Sequence, residues 1–342
     1  MKRSAKLVTL LLAVVIIATL AVGLVACNDG GDDYSERTEG QIIRFSAPQG
    51  TPALAMLRLV TDNPTLDGTE MSYKVVAPAQ IANEMTNGAD VVIMPVNTGA
   101  KLISKGKDYK LVSVAVEGSL FMVGSKATAG AITFDDIKGK KIACIGRVGV
   151  PGLVFRYVMQ SNGIEVIESG TPAANQVFVQ YVAEGANAIS LMSGHQVDFA
   201  VVGEPAATQM KNKLSLNAEM DMQAEYSKVD PAVNGESYPQ AGLFVRSALA
   251  KDRRFMDALF SALDASKKWV EAHPSEVEAF AKTNLYESAV FPTPSIARCA
   301  IDCGRLDNDD KNEIIAFFKN TEPKDELGKV IDWDGAKSAI FG

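Results

Sequence analysis

Two stretches of this chain end a short apolar strand in a glycine turn and then open a helix with a proline. In residues 141–163, KIACIGRVGVPGLVFRYVMQSNG, the apolar run 142–145 breaks at Gly146 and Gly149. Pro151 follows, and an apolar period through Leu153, Val154, Tyr157 and Val158 predicts a helix that Asn162 and Gly163 stop. Proline suits the first turn because the N–H it lacks has no partner there. Residues 42–60, IIRFSAPQGTPALAMLRLV, repeat the device about a hundred residues earlier, with Gly50-Thr51-Pro52-Ala53-Leu54 paralleling Gly149-Val150-Pro151-Gly152-Leu153. Such a junction aims the unbonded N–H groups of a helix at whatever sits above the strand, and anions and polar acceptors favour that place. Two copies predict two α/β lobes, each presenting a helix N-terminus to a shared cleft. Taken singly, either copy could simply start a helix. Neither is a nucleotide motif, because Gly146, Gly149 and Gly152 do not have G-x-G-x-x-G spacing and no G-K-[ST] occurs.

The rest of the chain keeps the alternation. Strands are expected at 41–45, 71–76, 89–94, 111–116 and 119–124, with a short helix at 78–86 and a helix start after Pro95-Val96-Asn97-Thr98, where Asn97 or Thr98 can cap. A helical turn at 133–138 precedes the second lobe. There strands are expected near 177–179 and 197–202, with helices at 181–192 and 206–211. One more strand reads at 238–245. Helices then dominate, at 254–272, 275–283, 295–305 and 308–320, before a less defined tail at 330–341. Apolar strands alternating with helices give mainly parallel sheets covered on both faces, whose ligands sit at the carboxyl ends of the strands.

The chain has 342 residues, 47% of them hydrophobic and 22% charged, which suffices for two domains with cores of their own. Its formal charge is −7, and Lys2, Arg3 and Lys6 lie in a leading segment with no acids, so the body is more acidic still. An acidic body argues against nucleic acid as a partner. Of the four cysteines, Cys144 falls in an apolar strand and reads as a buried thiol. Cys299 and Cys303 share a face of the helix expected at 295–305, a spacing that disfavours a disulfide. A metal pair there would need two more ligands, and His195 and His273 are remote in sequence, so structural thiols are expected.

Residues 1–6 are basic, 7–26 are an apolar run, and the run leaves through Leu24-Val25-Ala26-Cys27. This is the pattern of a bacterial secretory signal and resembles a lipobox, which implies that Cys27 carries a diacylglycerol anchor. The alternative is an uncleaved membrane anchor, since twenty apolar residues can span a bilayer. Either reading places the body outside the cytoplasm. The acidic, glycine-containing stretch 28–40 reads as a flexible tether.

Several segments, in order, resemble the substrate-binding proteins of ABC importers of the nitrate/sulfonate/taurine and thiamine-pyrimidine-precursor type. They are the lipobox, Gly50-Thr51-Pro52-Ala53, the run 89–97 (ADVVIMPVN), the run 138–142 (KGKKI), the run 197–205 (VDFAVVGEP), and 269–276 (WVEAHPSE), which looks like a helix-ending W-x-x-x-x-P-x-E. The resemblance covers most of residues 41–285. It implies a type II periplasmic-binding-protein fold of two lobes, with residues 41–124 in the first, 125–235 in the second, and 236–342 returning to pack on the first. The crossovers would lie near 119–126 and 236–244. The resemblance also implies a permease and an ATPase as partners, a monomeric binding protein, no cofactor and a cleft that closes on a small molecule.

The cleft is then expected to be lined by Gln49, Gly50, Thr51, Pro52, Asn97 and Thr98 from the first lobe. Arg147, Val148, Gly149 and Glu204 would join them from the second. Arg147 could pair with a carboxylate, sulfonate or phosphate; the alternative is a solvated loop arginine. Glu204 could accept from an amine or cap its own helix. Ser119, Phe121, Tyr238 and Gln240 lie where the chain changes lobes, and Phe121 could stack on a flat ligand or serve the core. The expected ligand is a small polar or anionic molecule (sulfonate, carboxylate or oxyanion) or a planar heterocycle. A receptor for a membrane sensor is the second reading. An enzyme is the third, and it lacks the cysteine-rich cluster of the pyrimidine synthase that resembles this family, as well as any Ser/His/Asp or Cys/His arrangement.

Overall fold

The computed structural model describes residues 40–230, 237–325 and 327–342. The expected signal segment, Cys27 and the expected tether up to residue 39 therefore lie outside the described residues. No helix among the described residues is long and apolar enough to cross a membrane.

The chain builds two sheets. The first begins with β1 (Ile42–Pro48), β2 (Thr65–Leu66), β3 (Thr69–Val76), β4 (Val91–Pro95) and β5 (Tyr109–Glu117). The chain then leaves for the second sheet with β6 (Leu120–Gly124), β7 (Gly130–Ala131), β8 (Lys141–Ile145), β9 (Glu165–Ile167), β10 (Gln176–Val182), β11 (Phe199–Gly203) and β12 (Ala218–Asp221). It returns with β13 (Pro239–Arg246). Strand order is β2-β3-β1-β4-β13-β5 in the first sheet and β7-β12-β6-β11-β8-β10-β9 in the second. β1 is parallel to β3 and β4, and β8 is parallel to β10 and β11. The strands that carry the chain between lobes run against their neighbours: β13 is antiparallel to β4 and β5, and β6 to β11 and β12. β6, placed by sequence at the end of the first lobe, is thus a strand of the second sheet, and the chain changes sheets at Gly118-Ser119.

Both faces of each sheet are covered, as its apolar strands require. In β4, Val91 and Ile93 face the layer of Phe255, Leu259 and Leu263 on the helix Arg253–Ala272, while Val92 and Met94 face the opposite layer. In the second sheet, Ile142 and Cys144 face the helix Val150–Ser161, and Ala143 and Val202 face the layer of Ala188 and Ala207. The core under Val92 runs without a break into the core under Ile142, through Tyr226, Tyr238 and Phe317. The rings of Tyr238 and Phe317 stack with centroids 5.9 Å apart, so the helix Asn308–Thr321 ties the two lobes behind the crossovers.

Two of the expected helices need correction. The helix foreseen at 181–192 starts only at Gly185, because β10 continues to Val182 in register with Ile145 of β8. The helix foreseen at 295–305 is the single turn Thr293–Ile296. Ala300 and Cys303 adopt left-handed backbone (φ 47° and 99°), and the segment becomes a strap along the edge strand β5. There Glu117 N donates to Ala300 O, Asp302 N to Ala115 O and Cys303 N to Val114 O, which occupies an edge that would otherwise be open. Cys299 and Cys303 are consequently separate buried free thiols, each pushed up by burial to about 12.

Candidate functional site

The carboxyl ends of β1, β4, β8, β10 and β11 converge between the lobes on a cleft of about 480 Å³, a size typical of small-molecule sites. β1 delivers Pro48 and Gln49 and turns at Gly50, whose φ of 94° suits glycine. The short helix Thr51–Ala55 starts there with Pro52 in its first turn, and Gly50 N donates to Tyr286 Oη at 3.1 Å. β8 delivers Ile145, and Pro151 opens the helix behind it. β10 delivers Ala183 and Glu184, and β11 delivers Gly203 and Glu204.

Of the residues singled out by sequence, Gln49, Gly50, Thr51, Pro52, Glu204 and Gln240 line this cleft. Thr51 is buried, and its hydroxyl donates across the lobes to the Glu204 carbonyl at 2.8 Å. Gln240 is held by Ser119: Ser119 N donates to Gln240 Oε1 at 3.1 Å, and Gln240 Nε2 donates to Ser119 Oγ at 3.2 Å. Ser119 thus orients a wall residue from a fully buried position.

The other residues do not line the cleft. Arg147 donates through Nε and Nη2 to Glu168, at 3.0 and 2.9 Å, on an exposed face, as the solvated-loop alternative describes. Val148 and Gly149 belong to the same loop, and the Val148 carbonyl accepts from Asn97 Nδ2 at 3.0 Å. Asn97 is fully buried, donates also to Glu322 Oε2 at 3.0 Å, and has no partner for Oδ1. Thr98 is half-buried on the helix Val96–Ser104. Tyr238 is core and donates to Gln223 Oε1 at 2.9 Å. Phe121 is buried and carries the Arg298 guanidinium 3.8 Å above its ring centre, so it stacks on an arginine rather than facing the cleft.

Glu204 takes the capping role. Its carboxylate accepts from Thr208 N at 3.1 Å and Thr208 Oγ1 at 2.9 Å in the first turn of the helix Ala206–Leu214. Its side chain is wholly buried, with Arg298 Nε 2.8 Å from Oε1, a close ion pair whose N–H is not aimed along a hydrogen bond. Burial raises the carboxyl above the ordinary range, and Arg298 and Thr208 oppose that rise. Arg298 Nη2 also reaches Glu219 Oε2 at 2.9 Å. Sequence reasoning missed Arg298, Gln209, Tyr286 and Val290. Gln209 reaches the cleft from the helix Ala206–Leu214, and Tyr286 and Val290 join it because the segment after the helix Val277–Asn284 folds across its mouth, where Gln209 Nε2 donates to Val290 O at 2.9 Å. Nothing local in the sequence marks that return.

The architecture defines a class: a two-lobed binding-protein fold with a cleft between lobes at the strand carboxyl ends. No protein-family model and no curated protein matches the chain. Solved structures do. An ABC transporter protein from Parabacteroides distasonis superposes with a TM-score of 0.65 at 19% identity, over 85% of this chain and 96% of that one. The alkanesulfonate-binding protein of Xanthomonas axonopodis, bound to MOPS, gives 0.56 at 14% identity over 89% and 99%. The periplasmic nitrate-binding protein of Synechocystis gives 0.59 at 12% identity over 90% and 87%. The chain therefore has the fold of the solute-binding components of ABC importers, the architecture that its sequence resemblance implies.

Proposed function

We propose that this protein is the extracytoplasmic solute-binding component of an ABC importer. In this role it captures a small molecule between its lobes and delivers it to a permease driven by an ATPase. The observation that carries the reading is the cleft itself, walled by the carboxyl ends of strands from both sheets and bridged by Thr51 and Glu204. Among the described residues that line it there is no histidine, cysteine or lysine, which favours capture over chemistry. The sequence around Cys27 supports a lipid anchor, and the continuous core behind the crossovers supports lobe closure as a hinge movement.

Thermal unfolding of the full chain in mild detergent tests this against sulfonates, nitrate, carboxylates, pyrimidines and uncharged heterocycles. A ligand at about a thousandfold its dissociation constant adds roughly 4 kcal/mol to the native state. A saturable rise of several degrees with one chemical class is expected. A cooperatively unfolding chain that responds to none of them, and that releases no small molecule on denaturation, would contradict the reading.

A further inference from the structure

The cleft lacks the cations with which an oxyanion site pairs its ligand. Among the described residues that line it there is no lysine, arginine or histidine, and there are two acids, Glu184 and Glu204. The guanidinium of Arg298, paired with the wall residue Glu204, is engaged by Glu204, Glu219 and the face of Phe121. Arg147 is bonded to Glu168 on an exposed face.

Anion sites without cations rely on main-chain N–H groups at helix starts; here donors at three of the starts are taken up within the protein, and the remaining start in the cleft wall, that of the helix Gly185–Ser193, follows directly on the acid Glu184. Gly50 N donates to Tyr286, and Ala53 N to Gly50 O at 3.1 Å. Gly149 N and Gly152 N both donate to Gly146 O, at 3.0 and 3.2 Å. Thr208 N is taken by the Glu204 carboxylate.

The walls offer instead apolar surface and neutral amides. Proline rings at Pro48, Pro52, Pro95 and Pro151, with Ile145 and Val290, supply the first. Gln49, Gln209 and Gln240 supply the second. Ser119 fixes Gln240 so that one amide hydrogen remains, and the bond from Gln209 to Val290 leaves its Oε1. Stripping water from an ionised oxyanion against such walls is costly without a paired cation, whereas a neutral ligand's polar edge exchanges water for amide partners at little cost.

We propose that this cleft selects an uncharged molecule, with a largely apolar body and carbonyl or amide groups at its edge, over oxyanions. The inference rests on the binding role proposed above and narrows its ligand class.

The test uses matched pairs that differ in charge and little in shape: nicotinamide and nicotinate, benzamide and benzoate, benzenesulfonamide and benzenesulfonate. Each is titrated into the full chain, with unfolding midpoint and heat as readouts. The expected result is saturable binding of a neutral member, roughly tenfold or more tighter than its anion. An anion that binds as tightly as its neutral partner overturns the inference and leaves the binding role standing. Should no pair bind, the chain is incubated with a small-molecule cell extract, separated and denatured, and what it releases is weighed. A released neutral compound supports the inference, and a released sulfonate, carboxylate or inorganic oxyanion overturns it. Release of nothing contradicts the binding role, and the inference falls with it.

Discussion

Glu117 ends β5 where the chain leaves the first lobe, and its carboxyl faces a small cavity that it shares with Asp302, Asp310 and Glu313. Burial first, and then these three neighbours, push it from the usual 4.5 up to about 8. The nearby cations are committed elsewhere on the same surface: Lys267 holds Asp302 at 3.1 Å, and Arg305 pairs with Asp257. The folded state therefore holds a proton that the unfolded chain releases at lower pH. Glu117 stabilises the fold fully below about 4.5, and that contribution is lost as pH rises toward about 8. Urea unfolding at a series of pH values should show stability falling across that window, and Glu117→Gln should flatten the fall. An unchanged slope in the variant would refute the assignment. Arg298 offers a second residue-scale prediction. Arg298→Gln leaves the Glu204 carboxylate wholly buried without its ion pair, and removing one partner of a buried pair costs about 3 kcal/mol. Urea midpoints should fall accordingly, while a fall near zero would mean that Thr208 alone satisfies Glu204. Glu204 was legible in the sequence as the polar end of an apolar strand, with capping as one of its two readings. Arg298 was not, because its role appears only when a segment ninety-four residues further on folds back over the second lobe.

Among the elements, the junction at the start of the helix Val150–Ser161 is closely packed against its own main chain. A Cβ on Gly152 would stand 2.5 Å from Gly146 O and 2.7 Å from Arg147 O, both main chain, while one on Gly149 would meet nothing closer than 3.7 Å. Gly152→Ala should therefore cost about 1–3 kcal/mol and move the loop that carries Pro151 into the cleft. Gly149→Ala should change stability by less than about 0.5 kcal/mol. Equal effects of the two substitutions would contradict the packing. The sequence showed this element well, since the apolar period, the proline and the Asn162-Gly163 stop all agree. It misled at 295–305, where helical spacing was present but Ala300 and Cys303 take left-handed backbone to pair with β5. Pairing with a strand nearly two hundred residues away outweighs local propensity there, and no window of sequence contains it. The strand β12 and the helix Met222–Val229 were not read at all, because their burial is set by packing on β6 and Val150–Ser161 rather than by a strong period of their own.

At the scale of the whole molecule, the strand-to-helix junctions set the design. Each sheet ends its parallel strands toward the other, and β6 and β13 exchange between lobes, so the cleft is a consequence of topology. That much follows from alternation and from two repeated glycine–proline turns. Which residues fill the cleft does not follow: Arg147, the most conspicuous candidate in the sequence, points to Glu168, and the mouth is completed by Tyr286 and Val290 from the returning chain. The measurement that tests the central claim most directly is calorimetric titration of the full chain and of Ala186→Trp with the tightest compound from the thermal series. Ala186 is exposed in the cleft wall near the start of the helix Gly185–Ser193, so an indole there occupies the ligand's space without entering the core. The account predicts one saturable site in the native chain and its loss in the variant, with the unfolding midpoint nearly unchanged. Equal binding by the two chains would place the ligand outside the inter-lobe cleft and contradict the account.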